Sequence, residues 1–339
     1  MHTALSWPEV LDVVDMHTGG EPVRIVRKLE GLAEGGDILA KRRHFAERHD
    51  DVRRLLMYEP RGHADMYGAV LVAPSLPGAD LAVLFIHNEG YSTMCGHAVI
   101  ALGRYAVDYG LVPASGPLTR VGIECPCGLV EAWVEIQDGR SGRVFFDSVP
   151  AFALALDVAV TLPEAGALTV DVGYGGAFYA LAPAVALGVS LDGPVAALKA
   201  AAGRLSEAVR QTLPIRHPLH EDLGFLYGSI LSDGRERAAD GASSNVCVFA
   251  DAEVDRSPTG SGVTARMAVR YARGRVALGE RCVFRSLTGA EFSAEVRREV
   301  DLAGLPAVVV RVGGQAHYSG EARFWLEEGD EIGRGFLLR

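Results

Sequence analysis

Apolar residues recur along the chain with two spacings, one typical of strands and one typical of helices. Short apolar runs rich in β-branched residues, separated by turns such as Gly19-Gly20, predict strands. These runs are residues 13–17, 22–26, 69–73, 81–87, several within 121–149 (with turns at 138–139 and 141–142), 175–181, 225–231, 245–250, 308–312, 316–320 and 322–326. Helical spacing predicts helices over residues 38–56, 98–109, 194–213 and 265–272. The mixture of strands and helices predicts an α/β protein.

Two strand-to-helix junctions lie about half the chain apart. Cys95-Gly96 and Thr259-Gly260 each follow a predicted strand and begin a predicted helix, and 164 residues separate them. This match favours two similar halves, each a β-structure wrapped around one central helix, although strand-turn-helix units are common enough to coincide. We predict halves at residues 1–155 and 156–326, with the domain change in the region from Pro150 to Pro163. A C-terminal strand at about 327–339 is expected to complete the first half.

Composition places the chain among ordinary globular proteins. Of its 339 residues, 49% are hydrophobic and 22% are charged, which excludes a disordered chain. The formal net charge of −10 argues against a nucleic-acid partner, because binding to phosphates requires a basic surface. Two prolines and Asp80 interrupt the most apolar stretch, residues 67–86, so no membrane span is predicted.

The cysteines and the N-terminal residues indicate a reducing compartment. Five cysteines, an odd number in a long chain, do not predict a disulfide framework. Residues 1–9 have neither a basic segment nor an apolar segment of the kind found in signal peptides. We therefore expect a cytoplasmic protein, with a homodimer as the default assembly.

Cys95 is the most informative cysteine because it stands at a predicted helix start. The N–H groups at such a position carry a partial positive charge, bind anions and lower the pKa of a cysteine from about 8.5 toward neutrality. This favours a thiolate base or nucleophile beside N–H groups that hold a substrate anion, over the buried structural role of most reduced cysteines. The other cysteines lie in apolar, strand-like segments and are interpreted as structural: Cys125, Cys127, Cys247 and Cys282.

Two other interpretations of these residues, a thiol hydrolase and a metal site, are disfavoured. A thiol hydrolase that pairs Cys95 with His97 conflicts with helix geometry, because positions i and i+2 of a helix do not face each other. A distant histidine would be needed instead. Cys125 and Cys127 are not accompanied by a second pair at zinc-like spacing, so no metal site is predicted.

The second helix start is rich in polar residues. Asp255, Ser257 and Thr259 are residue types that commonly cap helices, so alone this segment indicates only a helix entry. The pairing with the first helix start suggests more. Two helix N-termini facing one cleft would hold a carboxylate between them, and Asp255 would take an amine. The combination predicts an amino-acid site with a thiol at the α-carbon.

Three segments resemble the signatures of the proline racemase family, and the resemblance spans essentially the whole chain. They are residues 15–22 (DMHTGGEP), 94–97 (MCGH) and 255–262 (DRSPTGSG), and residues 320–336 resemble the family's C-terminus. The resemblance implies an α/β (α+β), diaminopimelate-epimerase-like fold. In that fold, two pseudo-symmetric halves each form a β-barrel-like sheet around a central helix, with the site between them. The resemblance also implies a reaction without cofactor or metal.

The same resemblance implies roles for individual residues. Racemases and epimerases of the family use two cysteines, one on each face of the substrate's α-carbon. The first matches Cys95, but the second position is Thr259, whose hydroxyl has no acid–base pKa near 7. Asp255 matches the residue that holds the ring nitrogen. The family's carboxylate cradle matches the backbone N–H groups of Gly96, His97, Gly260 and Ser261.

Threonine at position 259 resembles the trans-3-hydroxy-L-proline dehydratase branch of the family. In that substrate the 3-hydroxyl lies on the same ring face as the α-hydrogen, so a syn elimination needs only one thiol. The expected product is an enamine that tautomerises to Δ1-pyrroline-2-carboxylate. The alternatives are a 4-hydroxyproline 2-epimerase or proline racemase, and a non-catalytic amino-acid-binding protein. His17 and Glu21 receive no chemical role, and His17 is interpreted as structural.

Overall fold

The structure, a computed structural model, describes residues 10–27, 36–163 and 165–338. The segment on which the signal-peptide expectation rests, residues 1–9, lies outside them. The chain divides into two compact units by its contacts. Unit 1 comprises Met1–Thr93, Ala98–Val144 and Gln315–Arg339, and unit 2 comprises Met94–His97 and Phe145–Gly314.

In the residues that the structure describes, unit 1 is a mainly antiparallel sheet with three α-helices, and its strands come from both ends of the chain. Numbered along the whole chain, its elements are β1 (Leu11–Thr18), β2 (Glu21–Val26), α1 (Ile38–Arg48), α2 (Asp50–Met57), β3 (Tyr67–Val72), β4 (Leu81–His87), β5 (Gly90–Ser92), α3 (Gly96–Asp108), β6 (Leu118–Cys125), β7 (Gly128–Gln137), the first part of β8 (Arg140–Asp147) and β18 (Ala316–Phe324). The first two residues of α3 belong to unit 2, and the helix belongs to unit 1 from Ala98 onward. Strand β1 lies between β2 and β18, antiparallel to both. Phe45 of α1 and Leu55 of α2 join Leu84 and Ile86 of β4 in one apolar cluster.

The described part of unit 2 contains the remaining strands and two α-helices. Its elements are the end of β8, β9 (Phe152–Leu162), β10 (Gly166–Tyr174), β11 (Phe178–Pro183), α4 (Val195–Thr212), β12 (Leu226–Ser232), β13 (Ser243–Phe249), β14 (Glu253–Asp255), α5 (Gly260–Ala272), β15 (Arg281–Arg285), β16 (Glu291–Leu302) and β17 (Leu305–Gly314). Helix α5 is buried from Gly260 to Arg270 and contacts strands β9, β10, β11, β16 and β17. It is therefore the central helix of this unit.

One order of elements occurs twice. Strand β4 pairs antiparallel with the three-residue β5, which leads to the 13-residue α3, and the following β6 returns parallel to β4. Strand β13 likewise pairs with the three-residue β14, which leads to the 13-residue α5, and β15 returns parallel to β13. The repeat confirms the predicted duplication, and both helices begin at the predicted glycines.

Several predicted elements differ from the structure. The single helix over 38–56 is wrong: His49 separates α1 from α2, and its φ of −135° is not helical. The strands at 316–320 and 322–326 are one strand, β18, paired with β1 across a register shift. Residues 141–142 lie inside β8 and form no turn.

The region from Pro150 to Pro163 holds a strand. Strand β9 fills most of it and pairs with β10 along most of its length. The contact-based units divide the chain at 144/145 and 314/315, whereas the sequence suggested 155/156 and 326/327. The first boundary differs because β9 pairs with β10 and therefore belongs to unit 2. The second differs because the C-terminal strand that pairs with β1 in unit 1 is β18, Ala316–Phe324, and no strand lies in residues 327–338.

No helix among the residues described is both long and apolar enough to cross a membrane.

His217, just after α4, gives unit 2 a pH-dependent stability. Its ring packs on Tyr174, with ring centroids 4.9 Å apart, and burial together with nearby His220 lowers its pKa to about 4. The unfolded imidazole, with a pKa of 6.5, gains a proton before the folded one does. The contribution of His217 to the free energy of unfolding is therefore fully present above pH 6.5 and is lost as the pH falls toward 4. We expect about 1 kcal/mol per pH unit, reduced from the full linkage slope because solvent screens the half-buried ring. Urea unfolding of His217→Gln between pH 4 and 7 should show a shallower slope, and equal slopes would contradict this assignment.

Candidate active site

The starts of α3 and α5 touch. A Cβ atom added to Gly96 would lie 2.4 Å from Gly260 Cα, and one added to Gly260 would lie 2.6 Å from Gly96 Cα. Only two glycines permit this approach, since Cβ contacts under 3 Å do not occur. All seven predicted site residues fall within unit 2, because its first segment is Met94–His97. The structure thus brings both predicted helix starts together.

Cys95 contacts the histidine two residues later. Its Sγ lies 3.0 Å from Nδ1 and 3.8 Å from Nε2 of His97. The argument that positions i and i+2 cannot meet is wrong here, because α3 begins at Gly96 and Cys95 stands before the helix. Cys95 is 6% exposed and His97 is 2% exposed. A buried thiol–imidazole pair can share one proton between sulfur and nitrogen.

Thr259 occupies the matching position before α5 in an uncommon conformation. Its φ of +68° is unfavourable for a β-branched residue. Its N–H donates to Ser257 Oγ (3.0 Å), and its carbonyl accepts from Val263 N–H (2.7 Å). Thr259 is 5% exposed, and within the described chain its Oγ1 has no hydrogen-bond partner. A buried hydroxyl without a partner is costly, and this one could form a hydrogen bond with a bound molecule.

Asp255 ends β14 and supports the turn into α5. Its Oδ1 accepts from Ser257 N–H at 2.7 Å, and Ser257 Oγ in turn accepts from Thr259 N–H. The carboxylate is 6% exposed and lies opposite Cys247 in the β13–β14 register. Two hydrogen bonds in series therefore connect Asp255 to Thr259. Carboxylate oxygens are acceptors only, so the group suits a protonated amine.

Sequence reasoning missed Tyr179. This residue of β11 places its Oη 2.7 Å from Ser261 Oγ, at the second residue of α5. Burial raises the pKa of the Tyr179 phenol well above its ordinary value, so the phenol stays protonated. The Tyr179 hydroxyl can donate a hydrogen bond to Ser261 Oγ, so that the Ser261 hydroxyl can donate its own proton to a substrate anion. A buried strand tyrosine resembles any core aromatic in sequence, so no local signal marks it.

Replacing Tyr179 by phenylalanine should weaken substrate binding. The loss of one hydrogen bond that orients Ser261 is worth about 1 kcal/mol, so we expect KM to rise roughly 5- to 10-fold with little change in kcat. Steady-state kinetics of Tyr179→Phe checks this. Tyr271→Phe is the matched control, because that tyrosine lies at the exposed end of α5 and donates to Glu299. An unchanged KM in Tyr179→Phe would contradict the assignment.

Of the other cysteines, Cys247 lies opposite Asp255 in the β13–β14 register, whereas Cys125 lies in β6, Cys127 just after it and Cys282 in β15. Cys125, Cys247 and Cys282 are buried, Cys127 is half-buried, and burial raises the pKa of the Cys282 thiol. In unit 1, the His17 ring lies 5.4 Å from that of His317 in the paired strand β18. Across residues 10–27, 36–163 and 165–338, no three His, Cys, Asp or Glu side chains are grouped to hold a metal ion.

Comparison with known proteins identifies the family. The family model described as proline racemase matches residues 13–337. The chain belongs to the proline racemase family. A trans-3-hydroxy-L-proline dehydratase from Homo sapiens is 54% identical over 338 residues, which cover 97% of this chain and 95% of that relative. A 3-hydroxyproline 2-epimerase from Burkholderia multivorans is 43% identical over 332 residues, which cover 97% and 98%.

A solved structure has the same fold as this chain. It is a hydroxyproline epimerase from Agrobacterium vitis with bound trans-4-hydroxy-L-proline, 26% identical to this chain with a TM-score of 0.90. The match covers 98% of this chain and 97% of the epimerase. It confirms the predicted diaminopimelate-epimerase-like fold class.

Proposed function

We propose that the chain dehydrates trans-3-hydroxy-L-proline to Δ1-pyrroline-2-carboxylate and that the Cys95 thiolate removes the α-proton. One observation carries this mechanism: a thiol and an alcohol, Cys95 and Thr259, precede two helix starts whose glycines touch. A thiolate can remove a proton from one ring face, whereas an alcohol near pH 7 cannot act as the base on the other face. One-sided proton removal suits a syn elimination and does not suit racemisation.

The relatives support the activity. Six curated relatives that are 50–54% identical to this chain are named for this dehydration. They confirm the prediction of a hydro-lyase. The epimerase relative is more distant, at 43% identity. Epimerisation is the weaker alternative, because it needs a second acid–base group where this chain has Thr259.

In the proposed complex, the two helix starts hold the substrate carboxylate. The backbone N–H groups of Gly96, His97, Gly260 and Ser261 belong to the first turns of α3 and α5, where the helix itself supplies no acceptor. These dipoles are fixed before the substrate arrives, so they also stabilise the negative charge that develops when the α-proton leaves. Asp255 accepts hydrogen bonds from the ring ammonium.

In this proposal, Thr259 lies on the face of the substrate ring opposite Cys95. Its hydroxyl has no acceptor or donor in the described chain, so a bound substrate supplies the missing hydrogen bond. Thr259 positions the ring over Cys95 and does not exchange protons with the α-carbon. The reaction as drawn uses no cofactor, which stays a prediction.

Proton NMR in D₂O tests the function. Purified protein is incubated separately with trans-3-hydroxy-L-proline, trans-4-hydroxy-L-proline and L-proline. We expect the 3-hydroxy compound to disappear while Δ1-pyrroline-2-carboxylate forms, with no inversion of the other two. Accumulation of the C2 epimer of the 4-hydroxy compound would favour the epimerase. Thermal stabilisation by pyrrole-2-carboxylate, a planar mimic of the deprotonated ring, without turnover of any of the three would favour a binding protein.

We further propose a cytoplasmic homodimer. A reducing compartment would keep Cys95 as the thiol that the mechanism requires. A two-fold dimer is the commonest assembly among soluble oligomers. Light scattering on the purified protein measures the assembly, and a monomeric mass would contradict the dimer.

A further inference from the structure

We propose that His97 is the acid that protonates the departing 3-hydroxyl group. The inference rests on the proposed function, because it assigns one step of that reaction. Its basis is the contact of 3.0 Å between Cys95 Sγ and His97 Nδ1, deep in the site. Cys95 and His97 would then act as a base–acid pair on the same face of the ring.

The stereochemistry of the substrate requires such a neighbour. The α-hydrogen and the 3-hydroxyl of trans-3-hydroxy-L-proline are bonded to adjacent ring carbons and point to the same face. A group that protonates the hydroxyl must therefore lie beside the base that takes the α-proton. Hydroxide is a poor leaving group at neutral pH, so an acid at this place gives a large gain in rate. His97 Nδ1 lies within hydrogen-bonding distance of the base, as the stereochemistry demands.

The other polar groups near the helix starts suit this step less well. Thr259 has a neutral hydroxyl without a useful pKa. Burial raises the pKa of Tyr179, and its phenol is hydrogen-bonded to Ser261 Oγ. Asp255 accepts from Ser257 N–H and is assigned to the substrate amine. Imidazole is the side chain whose ordinary pKa allows it to give up a proton near pH 7.

The proton transfers of this step balance between Cys95 and His97. The reactive form holds Cys95 as thiolate and His97 as imidazolium. Sulfur takes the α-proton and becomes a thiol, the electron pair of the Cα–H bond forms the C2–C3 double bond, and the C3–O bond breaks. The imidazolium N–H proton goes to the departing oxygen, which leaves as water. Transfer of the thiol proton from Sγ to Nδ1 restores the starting state, so the net change is the loss of one water molecule.

The test compares two leaving groups in His97→Asn and His97→Gln. Fluoride leaves without being protonated first, so trans-3-fluoro-L-proline does not need the acid. Wild-type protein should dehydrate the hydroxy compound and also release fluoride from the fluoro analogue. In both variants, the ratio of kcat/KM for fluoride release to kcat/KM for dehydration should rise by about 100-fold or more over wild type, the usual worth of a general acid. Retained fluoride release also reports that the variant is folded.

Two controls separate this inference from the proposed function. Cys95→Ser should lose both reactions, and His220→Gln, an exposed histidine of unit 2, should keep the wild-type ratio. Equal losses on both substrates in the His97 variants, complete loss included, would overturn the inference. So would a wild-type protein that dehydrates but releases no fluoride. A wild-type protein that does neither would overturn the proposed function instead.

Discussion

Cys95→Ser should abolish formation of Δ1-pyrroline-2-carboxylate from trans-3-hydroxy-L-proline. Serine is nearly isosteric with cysteine, but its hydroxyl is not ionised near pH 7 and cannot accept the α-proton as a thiolate does. Loss of a general base costs roughly 10²–10⁴-fold, and we expect kcat/KM to fall by about 10³-fold. The initial rate of pyrroline formation, followed by NMR, measures the loss.

Two further measurements show that the loss is chemical. Cys127→Ser, at a half-buried cysteine outside the site, should keep the wild-type rate. Cys95→Ser should still be stabilised against thermal unfolding by pyrrole-2-carboxylate, because the N–H groups of the helix starts remain. Substantial turnover by a Cys95→Ser protein would contradict the single-thiol mechanism.

Thr259→Cys should exchange one activity for another. A thiol at this position places a second acid–base group opposite Cys95, so the carbanion is reprotonated from the other face before hydroxide leaves. We expect dehydration to be lost and epimerisation at C2 to rise by about 10²-fold or more over wild type. Deuterium entering Cα of trans-4-hydroxy-L-proline with inversion, followed in D₂O, measures the gain.

Thr259→Ser is the matched control for that exchange. Serine keeps the alcohol, so it should show no exchange on the second face. Neither substitution should lower the melting temperature, because both remove a β-branched side chain at a φ of +68°. Inversion of equal rate in the serine and cysteine variants would contradict the role given to position 259. Absence of any inversion in Thr259→Cys would contradict it as well.

The helix starts could be predicted because their signals are local. Gly96 and Gly260 begin α3 and α5, as the small residues between a strand and an apolar helical pattern indicate. The shared start of the two helices, one residue followed by a glycine, also indicated the duplication. That the glycines touch could not be predicted, since their approach depends on packing between residues 164 positions apart.

Other parts of the site depended on boundaries or on tertiary contacts. The Cys95–His97 contact was misjudged because a shift of one residue in the helix start decides whether the helix rule applies. Tyr179 of β11 contacts Ser261 of α5, which is distant in sequence, so nothing in the segment around Tyr179 indicates the contact. Helix capping residues were visible around Thr259, but its positive φ was not, because threonine is a poor candidate for that conformation.

The central claim is that a base acts on only one face of the substrate's α-carbon. The most direct test follows both C2 epimers of the substrate. Wild-type protein in D₂O is given trans-3-hydroxy-L-proline in one tube and cis-3-hydroxy-D-proline, its C2 epimer, in another. We predict that the first is converted to Δ1-pyrroline-2-carboxylate without its epimer ever accumulating, and that the second is left unchanged and undeuterated at Cα. Accumulation of the epimer in the first tube, or deuterium at Cα in the second, would show a base on the face of Thr259 and contradict the single-thiol account.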